Sequence, residues 1–194
     1  PPRGKSTLGS GLMITRDSAV ALAASFAANG DGMAAKSQEL ILMLLRHSES
    51  PFSRDQYTPG HITATSVVLS PDRRFVLLVH HRRLERWLLP GGHVEREDES
   101  LEAAARREVA EETGAVLAGT PALLAGMDVH GIPPKKKEPY HQHHDLIFAF
   151  RATGTVVRVS EESREVRWCE ATDAEFSRFA LPAPIVRAVR RALG

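Results

Sequence analysis

Between residues 91 and 115 the chain reads GGHVEREDESLEAAARREVAEETGA. If Arg107 to Thr113 are helical, Glu108, Glu111 and Glu112 stand at i, i+3 and i+4, and three carboxylates share one face. Like charges at that spacing repel by about a few tenths of a kcal/mol per pair, so a helix kept only for stability gains nothing from them. A bare run of this type is more often an exposed acidic face. Here Gly91, Gly92, Glu99, Arg107 and Gly114 surround it in an order that points instead to a cation held over that face.

Hard divalent cations, Mg²⁺ or Mn²⁺, suit the role, because they prefer carboxylate oxygens and share their coordination with substrate phosphates. The expected metal ligands are Glu108, Glu111 and Glu112, and a carbonyl of Gly91 or Gly92 can turn toward the metal. Gly91 and Gly92 follow Pro90, where a backbone without Cβ can approach a ligand closely. Gly114 is expected to end the helix in the left-handed conformation.

The segment resembles a Nudix box, G-x5-E-x7-R-E-U-x-E-E-x-G-U with U aliphatic. Glu99, seven intervening residues, Arg107-Glu108-Val109-Ala110-Glu111-Glu112-Thr113-Gly114 and Ala115 follow it in order. Six residues separate Gly92 from Glu99 instead of five, which reads as a single insertion in a loop. The resemblance implies a hydrolase that cleaves a nucleoside diphosphate linked to another group, with Mg²⁺ or Mn²⁺. In such chemistry water attacks one phosphorus in line while metal ions neutralise charge on the oxygens. Carried onto this chain, Glu108, Glu111 and Glu112 hold the metals and Arg107 orients the glutamates. Glu99 pairs with Arg107 or reaches a metal through water, and Glu111 is the favoured proton acceptor among carboxylates that include a Glu from a later loop.

The resemblance also implies the α/β fold of the family, an α/β/α sandwich with a mixed sheet, the box helix over 99–113 and a C-terminal helix over 184–193. Substrate choice lies in loops outside the box. ADP-ribose hydrolases of the family often carry a proline about sixteen residues after the box, where this chain has Gly131, with Pro133 two further on. Diadenosine polyphosphate enzymes tend to carry a tyrosine in that region, and none occurs here before Tyr140. The alternative is a catalytically inactive Nudix-like regulator that only binds a nucleotide; such domains commonly lose box glutamates, and all are present here. An isomerase on the same fold would need a catalytic cysteine in its own motif, which Cys169 does not supply.

The elements that must position the box lie on either side of it. Val67-Val68-Leu69 and Phe75 to His81 are apolar runs around Pro71-Asp72, the signature of a hairpin. Trp87 to His93 then leads into the helix. Strands are expected at Ala125 to Ile132, at His141 to Ala152 and around Glu165 to Trp168. On an extended 141–145 segment His141 and His143 point the same way, as a two-histidine metal pair requires, but zinc wants three or four ligands. A structural or substrate-contacting role is the favoured reading for them. His93, beside Gly92, is expected to touch substrate phosphate, His143 to contact substrate, and Lys136, in the Lys135 to Lys137 loop tip, to attract polyphosphate. One of His80 and His81 is expected to be a buried core histidine. Glu161 and Glu162 lie where Nudix enzymes often keep an extra metal-binding or base carboxylate.

Residues 1–16 lack acids and are rich in Pro, Gly and Ser, as in a disordered tail or expression remnant. Residues 17–58 read as a helical extension, 17–28 and 33–47, broken at Asn29-Gly30-Asp31-Gly32, and 59–194 as the Nudix domain. Leu40, Ile41, Leu44 and Leu45 form an apolar stripe that packs on the domain's flank or on a second subunit in a homodimer. With 25 basic and 24 acidic residues there is no electrostatic argument for nucleic acid, so the expected partner is a small nucleoside diphosphate derivative. No apolar run approaches the length of a membrane span, and a single cysteine among 194 residues fits a reducing cytoplasm.

Overall fold

The computed structural model describes residues 14–135, 137–161 and 163–194. Twelve elements follow in chain order: α1 (Arg16–Ser25), α2 (Gly32–His47), β1 (Gly60–Leu69), β2 (Phe75–His81), β3 (Arg86–Leu88), β4 (Gly91–His93), α3 (Leu101–Thr113), β5 (Leu123–Ile132), β6 (His141–Arg151), β7 (Ser163–Glu170), α4 (Asp173–Arg178) and α5 (Ala183–Leu193). All seven strands join one mixed sheet, with β3-β2-β1-β6-β5 as its spine, β4 paired to β1 and β7 paired to β2. The β1–β6 pair is parallel and the others are antiparallel.

Side-chain alternation along β1 assigns the two faces. Ile62 and Ala64 join Leu146, Phe148 and Phe150 of β6 in a core with α1, α2 and the first half of α3. Val67 and Leu69 face the other way and pack with Ile147, Phe176 of α4 and Ala188 and Val189 of α5. Helices therefore cover both faces of the sheet. The expected hairpin forms around Ser70, whose Oγ donates to Asp72 Oδ1 (2.6 Å) while its backbone N donates to Phe75 O (2.9 Å).

The N-terminal helices are part of this core. Ile41, Leu44 and Leu45 are buried against the sheet, so of the two expectations the stripe meets the first and packs on the domain itself. The ends are tied as well: Arg187 pairs with Asp31 (2.8 Å), and Arg191 donates to Ala28 O (2.9 Å) and lies over the Phe26 ring. The break between the two helices falls over residues 26–31, slightly earlier than the expected 29–32, because Phe26 leaves the helical conformation and Asp31 caps α2 through Ala34 N.

The box helix starts at Leu101, two residues later than expected. Ser100 takes the extended N-cap conformation and its Oγ accepts from Ala103 N (3.0 Å). Gly114 ends the helix at φ 62°, the left-handed cap expected of it.

Candidate functional site

The helix α3 lies on β1 and β4, fixed by Ser66 Oγ donating to Ala105 O (3.1 Å) and by burial of Val109. The side carrying Glu108, Glu111 and Glu112 thereby faces the three-residue strand β4. Gly92 touches Glu108 so closely that a Cβ there would lie 2.5 Å from Oε1 and 2.7 Å from Cδ. Glu112 is buried, and its Oε2 accepts from Gly91 N (2.9 Å). The two glycines are thus explained by close approach: Gly92 by a carboxylate, Gly91 by the β1 backbone, where a Cβ would fall 2.6 Å from Thr65 Cα.

Arg107 organises the acids. Its Nη1 donates to Glu108 Oε1 (2.9 Å) and Glu111 Oε2 (3.1 Å), and its Nη2 donates to His93 O (2.8 Å). The carboxylate that holds it is Asp98, reached by Nε and Nη2 at 3.0 Å each, a bidentate pair with Asp98 only 6% exposed. The hydrogen bonds to Asp98, then Glu108, keep the guanidinium charged at any attainable pH. Glu99, expected to pair with Arg107, points to solvent from the residue before the N-cap. The loop is one residue longer only when measured to Glu99; Asp98 stands at the usual five-residue interval from Gly92, and an aspartate takes the anchoring role.

A second group of side chains lies across β4. Strand alternation turns His93 away from Gly92, and the parallel register His61↔His143 brings β1 and β6 together beside it. His61, His93, His141 and His143 form one cluster, with ring centroids 5.0 Å apart for His61–His93 and His61–His143, 5.1 Å for His61–His141 and 5.3 Å for His93–His143. Burial and then the neighbouring imidazoles pull His143 down to about 2, and burial, imidazoles and nearby arginines pull His93 down to about 4 and lower His61 as well. All three are therefore neutral at pH 7. Below them Asp145 accepts from Thr63 Oγ1 (3.0 Å) and Thr65 Oγ1 (2.8 Å), and burial raises its carboxyl to about 6.

Other expected site residues are more scattered. His80 and His81 are both half-buried: His80 packs edge-on to Trp87, and His81 Nδ1 accepts from Arg83 N and Leu84 N. The buried histidines are His61, His141 and His144, the last on the same face of β6 as Leu146, so the expectation placed on the β2 pair is corrected. Lys136 and Glu162 lie outside the described residues. Glu161 is exposed in the turn before β7; that segment passes the C-terminal end of α3, where Arg158 N donates to Thr113 O (2.8 Å).

Among known proteins, the family model described as "NUDIX domain" matches residues 60–190. The chain belongs to the Nudix family. An RNA pyrophosphohydrolase of Caulobacter vibrioides is 34% identical over 116 residues, spanning 55% of this chain and 67% of the relative. Among solved structures, the Nudix domain of Shewanella oneidensis NrtR, complexed with ADP ribose, superposes with TM-score 0.54 at 20% identity over 78% of this chain and 97% of that one. A C. elegans Ap4A hydrolase matches with TM-score 0.47 at 23% identity over 67% of this chain and 93% of that one. The Nudix match covers the box, β4 and the histidine-bearing strands, so both side-chain groups belong to the family domain.

Proposed function

We propose that this Nudix hydrolase cleaves the phosphoanhydride bond of a nucleoside diphosphate derivative, with Glu108, Glu111, Glu112 and the Gly92 carbonyl as the ligands of Mg²⁺ or Mn²⁺. The Glu108 carboxylate, filling the space where a Cβ on Gly92 would stand, carries this reading, because it sets a carboxylate and a glycine backbone side by side. An all-oxygen donor set suits a hard cation, and when bound the cation would offset charge on the phosphate oxygens. Glu111, the most exposed of the three carboxylates with 58% of its side chain accessible, is assigned the proton of the attacking water. Arg107, anchored by Asp98, positions Glu108 and Glu111. His93 and His143 border the cleft beyond β4 in which the substrate's second group would lie, and Lys136 is assigned to phosphate attraction. A small diphosphate is the favoured substrate; the Caulobacter relative supports a second reading, in which the diphosphate sits on the 5′ end of an RNA. The cytoplasm is the expected compartment for either.

The test is a panel of nucleotide sugars, dinucleoside polyphosphates, nucleoside triphosphates and 5′-triphosphorylated RNA with Mg²⁺ or Mn²⁺, with products identified by mass. Glu111→Gln should lower kcat by about 10²–10⁴ with little change in thermal stability, since relief of acidic crowding offsets the weakened, exposed ion pair with Arg107. Glu112→Gln should also lower kcat but cost stability, because its buried carboxylate accepts from Gly91 N. Turnover in Glu111→Gln and Glu112→Gln equal to that of the parent chain on every substrate would overturn the assignment.

A further inference from the structure

His61, His93 and His143 offer ring nitrogens that all lie within 4.8 Å of one another. Among the described residues they are the one such group of three histidine, cysteine or carboxylate side chains. They come from three adjacent strands, β1, β4 and β6, and they stand on the opposite side of β4 from the box carboxylates.

The tautomer of His61 decides what this group can bind. Its Nδ1 lies 3.1 Å from Gln56 O, and a carbonyl only accepts, so Nδ1 carries the hydrogen. In the neutral ring Nε2 is then left with a lone pair. That Nε2 is buried with no hydrogen-bond partner, in a residue 1% exposed. A buried acceptor without a donor is costly, so the position calls for something electron-poor in the cleft. His141 is tied in the same way, with Nδ1 donating to Pro139 O (2.9 Å), and its ring stacks on His61 at 5.1 Å. Holding the outer nitrogen on a backbone carbonyl is how metal-ligating histidines are oriented. A phosphate is a poor match, since it offers acceptors to an atom that can only accept.

We propose that His61, His93 and His143 bind a zinc-class divalent cation, at a site separate from the hard-cation site of the box carboxylates. Three neutral imidazoles are a common zinc donor set, with Zn–N bonds of about 2.0–2.1 Å. That length sets the nitrogens of a tetrahedral site roughly 3.4 Å apart, so modest rotation of the half-buried His93 and His143 rings closes the trio. A fourth position is left for His141 or for an oxygen ligand, in a cleft also lined by Arg54 and Arg83. Arg83 is partly balanced by Glu138 at 4.0 Å, and the two guanidiniums favour an anionic fourth ligand. Bridging β4 to β1 and β6, the ion would also fix the short strand on which Gly92 meets Glu108.

The experiment uses the full chain, stripped with a chelator and titrated with Zn²⁺ against a chromophoric competitor in excess Mg²⁺, which occupies the carboxylate site. One Zn²⁺ per chain is expected. His93→Ala and His143→Ala should each weaken binding by more than the roughly 10–100-fold typical of losing an outer-shell partner, while exposed His47→Ala and the box variant Glu111→Gln leave it unchanged. Co²⁺ in the parent chain should give the intense visible bands of a four-coordinate nitrogen site, a readout that needs no variant. Absence of stoichiometric zinc, equal affinity in the His93 and His143 variants, loss of zinc in Glu111→Gln, or only the weak spectrum of six-coordinate cobalt would each overturn the proposal.

Discussion

Arg107 and Asp98 form a bidentate pair, Nε to Oδ1 and Nη2 to Oδ2, both at 3.0 Å, and through it the loop after β4 holds the guanidinium that touches Glu108 and Glu111. Asp98 is buried and Glu99 is exposed, so the two neighbouring acids have unequal weight. Asp98→Ala takes from the half-buried Arg107 guanidinium its bidentate partner, leaving it Glu108 and Glu111, and is expected to cost about 1–3 kcal/mol of stability. It should lower kcat as well, because the glutamates lose their positioning group. Glu99→Gln is expected to stay within about 0.5 kcal/mol. Denaturant melts and steady-state kinetics of the two variants check this; a larger loss in Glu99→Gln than in Asp98→Ala would reverse the assignment.

The two glycines of β4 should separate fold from function. At Gly91 the added methyl meets the backbone of Thr65 and Ala64, which cannot yield without opening the β1–β4 pair, so Gly91→Ala should lower the melting temperature. At Gly92 it meets the end of the Glu108 side chain, which can swing away. Gly92→Ala should therefore melt close to the parent but lose about 10²-fold in kcat/KM, the cost of misplacing a reacting group by about an ångström.

Truncating the α2 stripe tests whether residues 17–58 fold separately. Ile41 is fully buried in the core that contains Ile62, Leu146 and Phe148 of the sheet. Ile41→Ala is expected to destabilise the whole chain by about 2–5 kcal/mol in a single transition. Two transitions in calorimetry, with the later one unmoved, would mean that the helices and the Nudix domain unfold independently.

Cys169 supplies a pH prediction. Burial, followed by the charge of Glu175, raises its thiol to about 11. A folded value above the unfolded one favours the neutral thiol, so its contribution to stability is complete below about pH 9 and is lost as pH rises through about 11. At pH 8 the native chain should resist alkylation, and labelling with iodoacetamide should follow the denaturant unfolding curve. Rapid labelling under native conditions would contradict the burial.

Local sequence determined the box helix, its glycine cap, the carboxylate face and the hairpin at Pro71-Asp72, because each depends on contacts within a few residues and on a period of 3.6 or 2. Even the alternation of His141 and His143 could be read in this way. What the chain alone did not decide was partnership across the sheet. The choice of Asp98 over Glu99 depends on which acid the loop turns inward once Ser100 caps α3. His61 stands 32 residues before His93 and 82 before His143, and only the parallel β1–β6 register and the antiparallel β1–β4 register bring the three together. The α2 stripe declared itself apolar, but whether a partner subunit or its own sheet would cover it was settled by long-range packing. Periodicity reports which way a side chain faces; tertiary structure alone supplies what it faces.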